Sequence, residues 1–202
     1  MKKQLYDTVI FDIGNVLMQF NWMGYVQPMW EPEIAGRITE AIFGDGRWDE
    51  MDRGIKSETE ILQSFIDADP KLETEIRYTY DNCLDSLHRL DYAADWIREV
   101  KDSGRQALYL SNYSRLLVDG KPEVLDFLSE MDGGVFSYLV GAIKPEPEIY
   151  QILIDKYRLI PENCIFIDDR EANLASARKL GFQTILFDGY EQGRAKLNEL
   201  LL

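Results

Sequence analysis

The sequence has little cysteine, a single histidine and no long apolar run. Its 202 residues include two cysteines, Cys83 and Cys164, and one histidine, His88. The cysteines form no CxxC pair, which leaves neither a disulfide framework nor a zinc site to expect. Cys164 opens an apolar run and is expected to be buried. No stretch reaches the roughly 18–20 apolar residues that a membrane span needs, so no membrane partner is expected. Met1-Lys2-Lys3-Gln4 has neither the apolar core nor the cleavage site of a signal peptide, and is expected to lead straight into the first strand. A reduced, cytoplasmic protein is the expectation. Basic residues are also short: 22 Lys and Arg face 36 Asp and Glu, for a formal net charge of −14. That field repels polyanions, and no Lys/Arg cluster reverses it locally, which excludes nucleic acid as a partner. A small phosphorylated substrate is compatible, but its site must then carry its own positive charge. A divalent cation would supply it.

What is present is an α/β rhythm. The length suits one domain with an insertion or two small domains, and contents of 46% hydrophobic and 29% charged residues are those of an ordinary globular chain. The first strand runs from Tyr6 to Asp12, continuous apolar residues that stop at Gly14-Asn15, as a buried parallel strand should read. From about residue 23 to 88 the pattern changes. Apolar residues recur at helical spacing, as in Ile61, Phe65 and Ile66, or Ile76, Tyr80, Cys83, Leu84 and Leu87. Turn signals at Gly44-Asp45-Gly46, Asp52-Arg53-Gly54 and Ala68-Asp69-Pro70 divide this part into four or so helices.

The α/β alternation then resumes. A helix capped by Asp91, with Ala94, Ile97 and Val100 as its buried face, closes at Gly104. A strand at 105–110 ends in Ser111-Asn112. Residues 116–130 read as helix broken at Lys121-Pro122, and a weaker strand covers Val135 to Val140. After Lys144-Pro145 come a helix from Pro147 to Tyr157, a strand from Cys164 to Ile167, a helix from Glu171 to Leu180 closed by Gly181, and a strand from Thr184 to Phe187. Strands and helices of these lengths in alternation predict a parallel, doubly wound sheet.

Four places near strand ends then carry polar groups: Asp12, Ser111-Asn112, Lys144 in a loop past its strand, and Asp168-Asp169. In a parallel sheet these ends share one edge, where such sheets bind ligands. Asp12 with Asp168 and Asp169 offers hard oxygen ligands of the kind Mg²⁺ prefers. Ser111 and Asn112 offer neutral donors, and Lys144 a compact cation suited to phosphate. A nucleophilic carboxylate, a metal, a hydroxyl–amide pair and a lysine are the parts that phosphoryl transfer to an aspartate needs.

Over nearly its whole length the chain resembles the haloacid dehalogenase superfamily of phosphohydrolases. Phe-Asp-Ile-Gly-Asn-Val-Leu at 11–17 looks like the first motif, Leu-Ser-Asn at 110–112 the second and Lys144-Pro145 the third. Phe-Ile-Asp-Asp at 166–169, followed by Asn173, looks like the fourth. The helical insert is placed like that family's alpha-helical cap, and Asp52-Arg53-Gly54-Ile55 with Ser57 is similar to a cap segment of its sugar-phosphatase-like branch. The subgroup most resembled is the alpha-glucose-1-phosphatase-like one. The resemblance implies a Rossmann-like three-layer core, residues 1–17 and 89–202, with an inserted all-helical cap, residues 18–88. It implies that Asp12 attacks phosphorus to form an aspartyl-phosphate. Asp12 and Asp168 would bind Mg²⁺ by side chain and Gly14 by its carbonyl, with Asp169 ligating directly or through water. Ser111, Asn112 and Lys144 would hold the transferring phosphoryl oxygens, and Arg53 could reach the substrate from the cap. The expected assembly is a monomer or a homodimer.

One departure stands out. Where most phosphatases of the superfamily have a second aspartate, two residues past the nucleophile, this chain has Gly14. General acid help is worth about 10²–10⁴-fold. A good leaving group such as an anomeric oxygen, a metal-polarised water or a cap residue could make up for it, or catalysis could be weak. Two other functions therefore stay open: a metal-independent 2-haloacid dehalogenase and a non-catalytic binding protein on a degenerate site. Trp22, Trp30 and Trp48 read first as packing within the cap or between cap and core, and second as a sugar-stacking wall. His88 reads as a hinge-region surface residue, Asp188-Gly189 as a turn, and Asn173 as a possible brace for the acidic pair.

Overall fold

In the computed structural model, residues 6–201 are described. The expected lead-in at Met1–Gln4 lies outside them. The first strand, β1 (Thr8–Phe11), is buried at every position. A tight turn at Ile13 follows and leads to β2 (Met18–Phe20). Next come five helices, α1 (Trp22–Val26), α2 (Pro32–Phe43), α3 (Arg47–Arg53), α4 (Glu58–Ala68) and α5 (Glu73–Asp81). Ser57 opens α4 with a full capping box, its side chain and that of Glu60 each bonding the other's backbone N–H. The chain returns through β3 (Leu87–Arg89), which pairs antiparallel with β2 and closes the helical insert at its base. Sequence periodicity does not reveal this pair, because three-residue strands show no measurable alternation. His88 lies exposed on β3, opposite Gln19.

Beyond the insert come α6 (Ala93–Asp102), β4 (Gln106–Ser111), α7 (Arg115–Gly120), β5 (Gly133–Phe136), α8 (Ser137–Val140), α9 (Pro147–Tyr157), β6 (Cys164–Asp168), α10 (Glu171–Lys179), β7 (Gln183–Leu186) and α11 (Tyr190–Leu201). The sheet is fully parallel, in the order β5-β4-β1-β6-β7. Alternate residues of β1 enter different cores. Val9 and Phe11 pack with Trp96 and Ile97 on one face, and Ile10 packs with Tyr150, Leu153 and Leu174 on the other. Both faces are thus covered by helices, the three-layer arrangement that the apolar strand bodies predict. Trp96 is the largest fully buried side chain and meets the edge of Phe11 at 5.0 Å.

Three expectations need correction. The strand predicted over Val135–Val140 ends at Phe136, and Ser137–Val140 form one helical turn closed by Gly141 at φ +69°. A short apolar run cannot separate strand from helix by periodicity. Asp91 does not cap α6; the helix starts from a backbone turn, Ala93 N–H to Leu90 C=O at 3.1 Å. The segment after the break at Lys121 is a run of 3-10 turns, Pro122–Glu130, and not α-helix.

Candidate active site

Register brings the strand ends together. Phe11 is paired with Ile167 on one side and Tyr109 on the other, so Asp12, Asp168 and Ser111 emerge at one edge. Asp12 N–H still bonds Ile167 C=O at 2.8 Å, which locks the backbone beside Asp168. The Lys144 ammonium sits between the two carboxylates, 2.8 Å from Asp12 Oδ1 and 2.7 Å from Asp168 Oδ2. All three side chains are buried, and the ammonium lies 5.5 Å from the centre of the Phe166 ring. Burial alone would lower the Lys144 pKa; Asp12 and Asp168 outweigh it and hold the group above the usual lysine range, so it stays charged.

Asp12 Oδ1 is fully engaged, since it also accepts Ile13 N–H at 2.7 Å. No hydrogen bond reaches its Oδ2 among the described residues, which leaves that oxygen for chemistry. Asp168 has no free oxygen. Besides Lys144 it accepts Arg170 N–H at 2.8 Å, and Asn173 Nδ2 lies 3.0 Å from both its oxygens. Asn173 is therefore the brace that its position suggested. Asp169 is half-buried and accepts Asn15 Nδ2 at 3.3 Å. Asn15 sits at φ +57°, a conformation asparagine tolerates, and its Oδ1 accepts Phe20 N–H at 3.1 Å. It ties the turn after β1 to β2 and to the acidic pair.

Oxygens of Asp12, Asp168 and Asp169 lie within 4.8 Å of one another. Burial raises the Asp12 carboxyl to about 7; Lys144 works against that rise and Asp168 adds to it. Burial, then Asp168, also raises Asp169. One ammonium does not balance this concentration of negative charge. Three hard oxygen donors with uncompensated charge fit a divalent cation such as Mg²⁺. Gly14, expected to add its carbonyl, lies on the same cleft wall.

The cleft above these groups encloses about 390 Å³. Asp12, Lys144, Asn112 and Asp169 line it from the core, and Phe43, Trp48, Asp49 and Asp52 from the insert. Phe43 and Trp48 stack at 4.8 Å, and Trp22 packs edge-on against Phe43 at 4.9 Å. These rings are packed as the insert's own core, while Trp48 also forms the cleft wall. Trp30 is half-buried and donates from Nε1 to Thr79 Oγ1 at 2.9 Å.

Two residues expected to contact substrate are hydrogen-bonded within the protein. The Asn112 amide is turned to the backbone of Lys144, donating to its carbonyl at 2.9 Å and accepting its N–H at 2.7 Å. Arg53 does not line the cleft. Its guanidinium forms a two-pronged pair with Glu146, at 2.7 and 2.9 Å, and donates to Gly141 C=O at 3.3 Å. The Ser111 hydroxyl is buried, with one long bond of 3.5 Å to Asn112 C=O.

The residue that the sequence did not single out for chemistry is Asp52. It lies 5% exposed in the cleft wall, and its Oδ1 has no hydrogen-bond partner. The available signal was spacing: Trp48, Met51 and Asp52 fall on the one buried face of α3.

The chain matches the haloacid dehalogenase-like hydrolase family over residues 6–181, and it belongs to that family. It is similar to D-ribitol-5-phosphate phosphatase of Bacteroides thetaiotaomicron, 25% identical with 96% of this chain and 97% of that one covered. A HAD-like family hydrolase from Porphyromonas gingivalis has the same fold, with a TM-score of 0.76 at 24% identity and 98% of each chain covered. So does a HAD family enzyme of Bacteroides thetaiotaomicron in complex with magnesium and inorganic phosphate, with a TM-score of 0.69 at 19% identity over 89% of this chain and 93% of that one. The chain spans only 19% of Acyl-CoA dehydrogenase family member 10 of Mus musculus, to which it is 31% identical over 97% of its own length. No helix among the described residues is long and apolar enough to cross a membrane.

Proposed function

We propose that this chain is a Mg²⁺-dependent phosphatase for a small phosphorylated metabolite such as a sugar or sugar-alcohol phosphate. The observation that carries the reading is the Lys144 ammonium held between Asp12 and Asp168, at 2.8 and 2.7 Å, while Asp12 Oδ2 is left free. A retained nucleophile with a charged neighbour argues for turnover over mere binding. The relative named for D-ribitol 5-phosphate, similar over nearly the full length of both chains, supports the substrate class. An assignment to the alpha-glucose-1-phosphatase-like subgroup rests on the Asp-x-Gly-Asn-Val run at 12–16 alone. Residues 18–88 would act as the cap.

In the first step Asp12 Oδ2 attacks phosphorus, the bond from phosphorus to the leaving oxygen breaks, and an aspartyl-phosphate forms. In the second, water attacks phosphorus, inorganic phosphate leaves and Asp12 is restored. Two of the three Lys144 ammonium hydrogens are committed to carboxylates; the third is available to a phosphoryl oxygen, with Ser111 and Asn112 beside it. Mg²⁺ would be held by Asp12, Asp168 and Asp169 with the Gly14 carbonyl, where it would offset their charge and polarise the phosphoryl group.

The test is phosphate release from sugar 1-phosphates, sugar 6-phosphates, sugar-alcohol phosphates, nucleotides and acyl phosphates, with Mg²⁺ and with EDTA. Turnover that needs the metal and disappears in Asp12→Asn is the expected result. Metal-independent turnover of a 2-haloacid would establish a dehalogenase instead. Failure to trap beryllium fluoride on Asp12 despite bound Mg²⁺ would establish a binding protein.

A further inference from the structure

The alcohol of an ordinary phosphate ester leaves as an alkoxide unless a proton reaches it, so a cleft that cleaves such esters needs a proton donor. Its core-side groups are committed elsewhere. Asp12 is the nucleophile. Both oxygens of Asp168 accept hydrogen bonds, and Lys144 is held charged between the two carboxylates. Position 14, next to the nucleophile, has no side chain.

On the insert side, Asp52 is different. Four buried side-chain nitrogen or oxygen atoms lack a partner among the described residues, and three belong to this cleft: Asp52 Oδ1, Tyr113 Oη and Asn173 Oδ1. A buried polar atom without a partner is costly, and such atoms mark where a ligand or water is received. Asp52 is the acid among the three. Its neighbours are Asp49, one turn earlier on α3, then Asp12, Lys144 and Arg170 from the core, and the Tyr113 hydroxyl. Burial, then Asp49 and Asp12, pushes its carboxyl well above the usual carboxylate range, the direction a proton donor needs. Burial, then Asp52, pushes the Tyr113 phenol up as well, which makes it a poorer acid.

The backbone fixes Asp52 in place without using its side chain. Its carbonyl accepts Ser137 Oγ at 2.6 Å, and Ser137 Oγ also accepts Tyr113 N–H at 2.9 Å. Gly54 then turns at φ +71° against Tyr138, where a Cβ would come within 2.7 Å of the Tyr138 carbonyl. Arg53 pairs with Glu146, two residues past Lys144. The run 52–54 is thus pinned to the loop that carries Lys144, and the Asp52 carboxyl is presented to the cleft from a rigid seam.

We propose that Asp52, a residue of the helical insert, protonates the leaving group in place of the side chain that Gly14 lacks. As Asp12 Oδ2 bonds to phosphorus and the bond to the ester oxygen breaks, the proton of Asp52 moves to that oxygen and the alcohol departs neutral. Asp52, now a carboxylate, takes a proton from the water that attacks the aspartyl-phosphate, and both carboxyls return to their starting states. This assignment rests on the phosphatase reading above.

The experiment compares an alkyl phosphate, such as a sugar-alcohol phosphate, with p-nitrophenyl phosphate, whose phenolate leaves without a proton. In Asp52→Asn, kcat/KM for the alkyl ester should fall by about 10²–10⁴-fold, the usual worth of a general acid. For the aryl ester it should change by less than about tenfold, since only the general-acid share of the rate is lost. Asp52→Ser, which also keeps the main-chain clamps, should show the same split, and both should still trap beryllium fluoride on Asp12. Equal losses on the two esters would overturn the assignment, as would the split appearing in Asp49→Asn and not in the Asp52 variants. An enzyme without phosphatase activity on either ester, or one in which Asp12→Asn keeps it, would instead overturn the underlying reading.

Discussion

Asn112 and Lys144 hold each other by two reciprocal hydrogen bonds, side-chain amide to main-chain carbonyl at 2.9 Å and main-chain N–H to side-chain oxygen at 2.7 Å. The pair joins the end of β4 to the loop that carries the ammonium, across 32 residues of sequence. Asn112→Ala removes both bonds and should cost about 1–3 kcal/mol in stability. The greater effect should be on rate. A displacement of about 1 Å at the ammonium is worth on the order of 10²-fold, so kcat should fall by that order with Lys144 chemically intact. Denaturant titration together with steady-state kinetics checks both.

Among the described residues, Lys144 is the only cation paired with Asp12 and Asp168. Lys144→Met leaves buried carboxylates without it. Loss of one partner from a buried ionic cluster costs about 3–5 kcal/mol. The expected result is loss of turnover, with a metal-free melting temperature well below that of the parent protein.

Asn173 orients Asp168 from α10, with its amide 3.0 Å from both carboxylate oxygens. Groups that orient a metal-binding carboxylate are worth about 10–100-fold in metal affinity. Asn173→Leu should weaken Mg²⁺ binding by that factor in calorimetry while leaving Asp12 in place.

The Arg53–Glu146 pair should contribute to stability only above acid pH. Hydrogen bonding and charge from Arg53 hold Glu146 below the usual carboxylate range. A lowered folded-state value means that the stabilisation is present above the ordinary glutamate range and is lost as pH falls through the lowered value. Glu146 is 39% exposed, so the pair is discounted to about 0.2–1 kcal/mol. Glu146→Gln should therefore lower the melting temperature slightly at pH 7, and the difference should vanish in acid.

Gly14 has open space where a side chain would go, with nothing within 4 Å of an added Cβ. Its backbone is not in the left-handed region either. Gly14→Asp should fold, since the added side chain meets no steric obstacle. In an Asp52→Asn background it should recover part of the lost kcat/KM on the alkyl phosphate, because it puts a second carboxyl two residues past Asp12.

Much of the site was legible because it sits on strand ends. Parallel strands present their C-terminal ends at one edge, so reading Asp12, Ser111-Asn112 and Asp168-Asp169 as strand tips already placed them together. The Val135–Val140 expectation failed at its C-terminal half because apolar residues alone do not separate a strand from one helical turn. The β2–β3 pair was missed because its strands are three residues each and are joined across the whole insert.

The chain by itself determined the alternation of strands and helices, the helical character of the insert and the set of polar strand tips. Each follows from residues near one another in sequence, through periodicity and turn chemistry. Only the tertiary structure decided which way the insert's charges face. Arg53 meets Glu146 across 93 residues, and the Asp52 carbonyl meets Ser137 across 85. Those contacts depend on how two separately patterned parts dock. Neighbours on one helix turn can point to opposite sides of the seam, and no local pattern tells which of them enters the cleft.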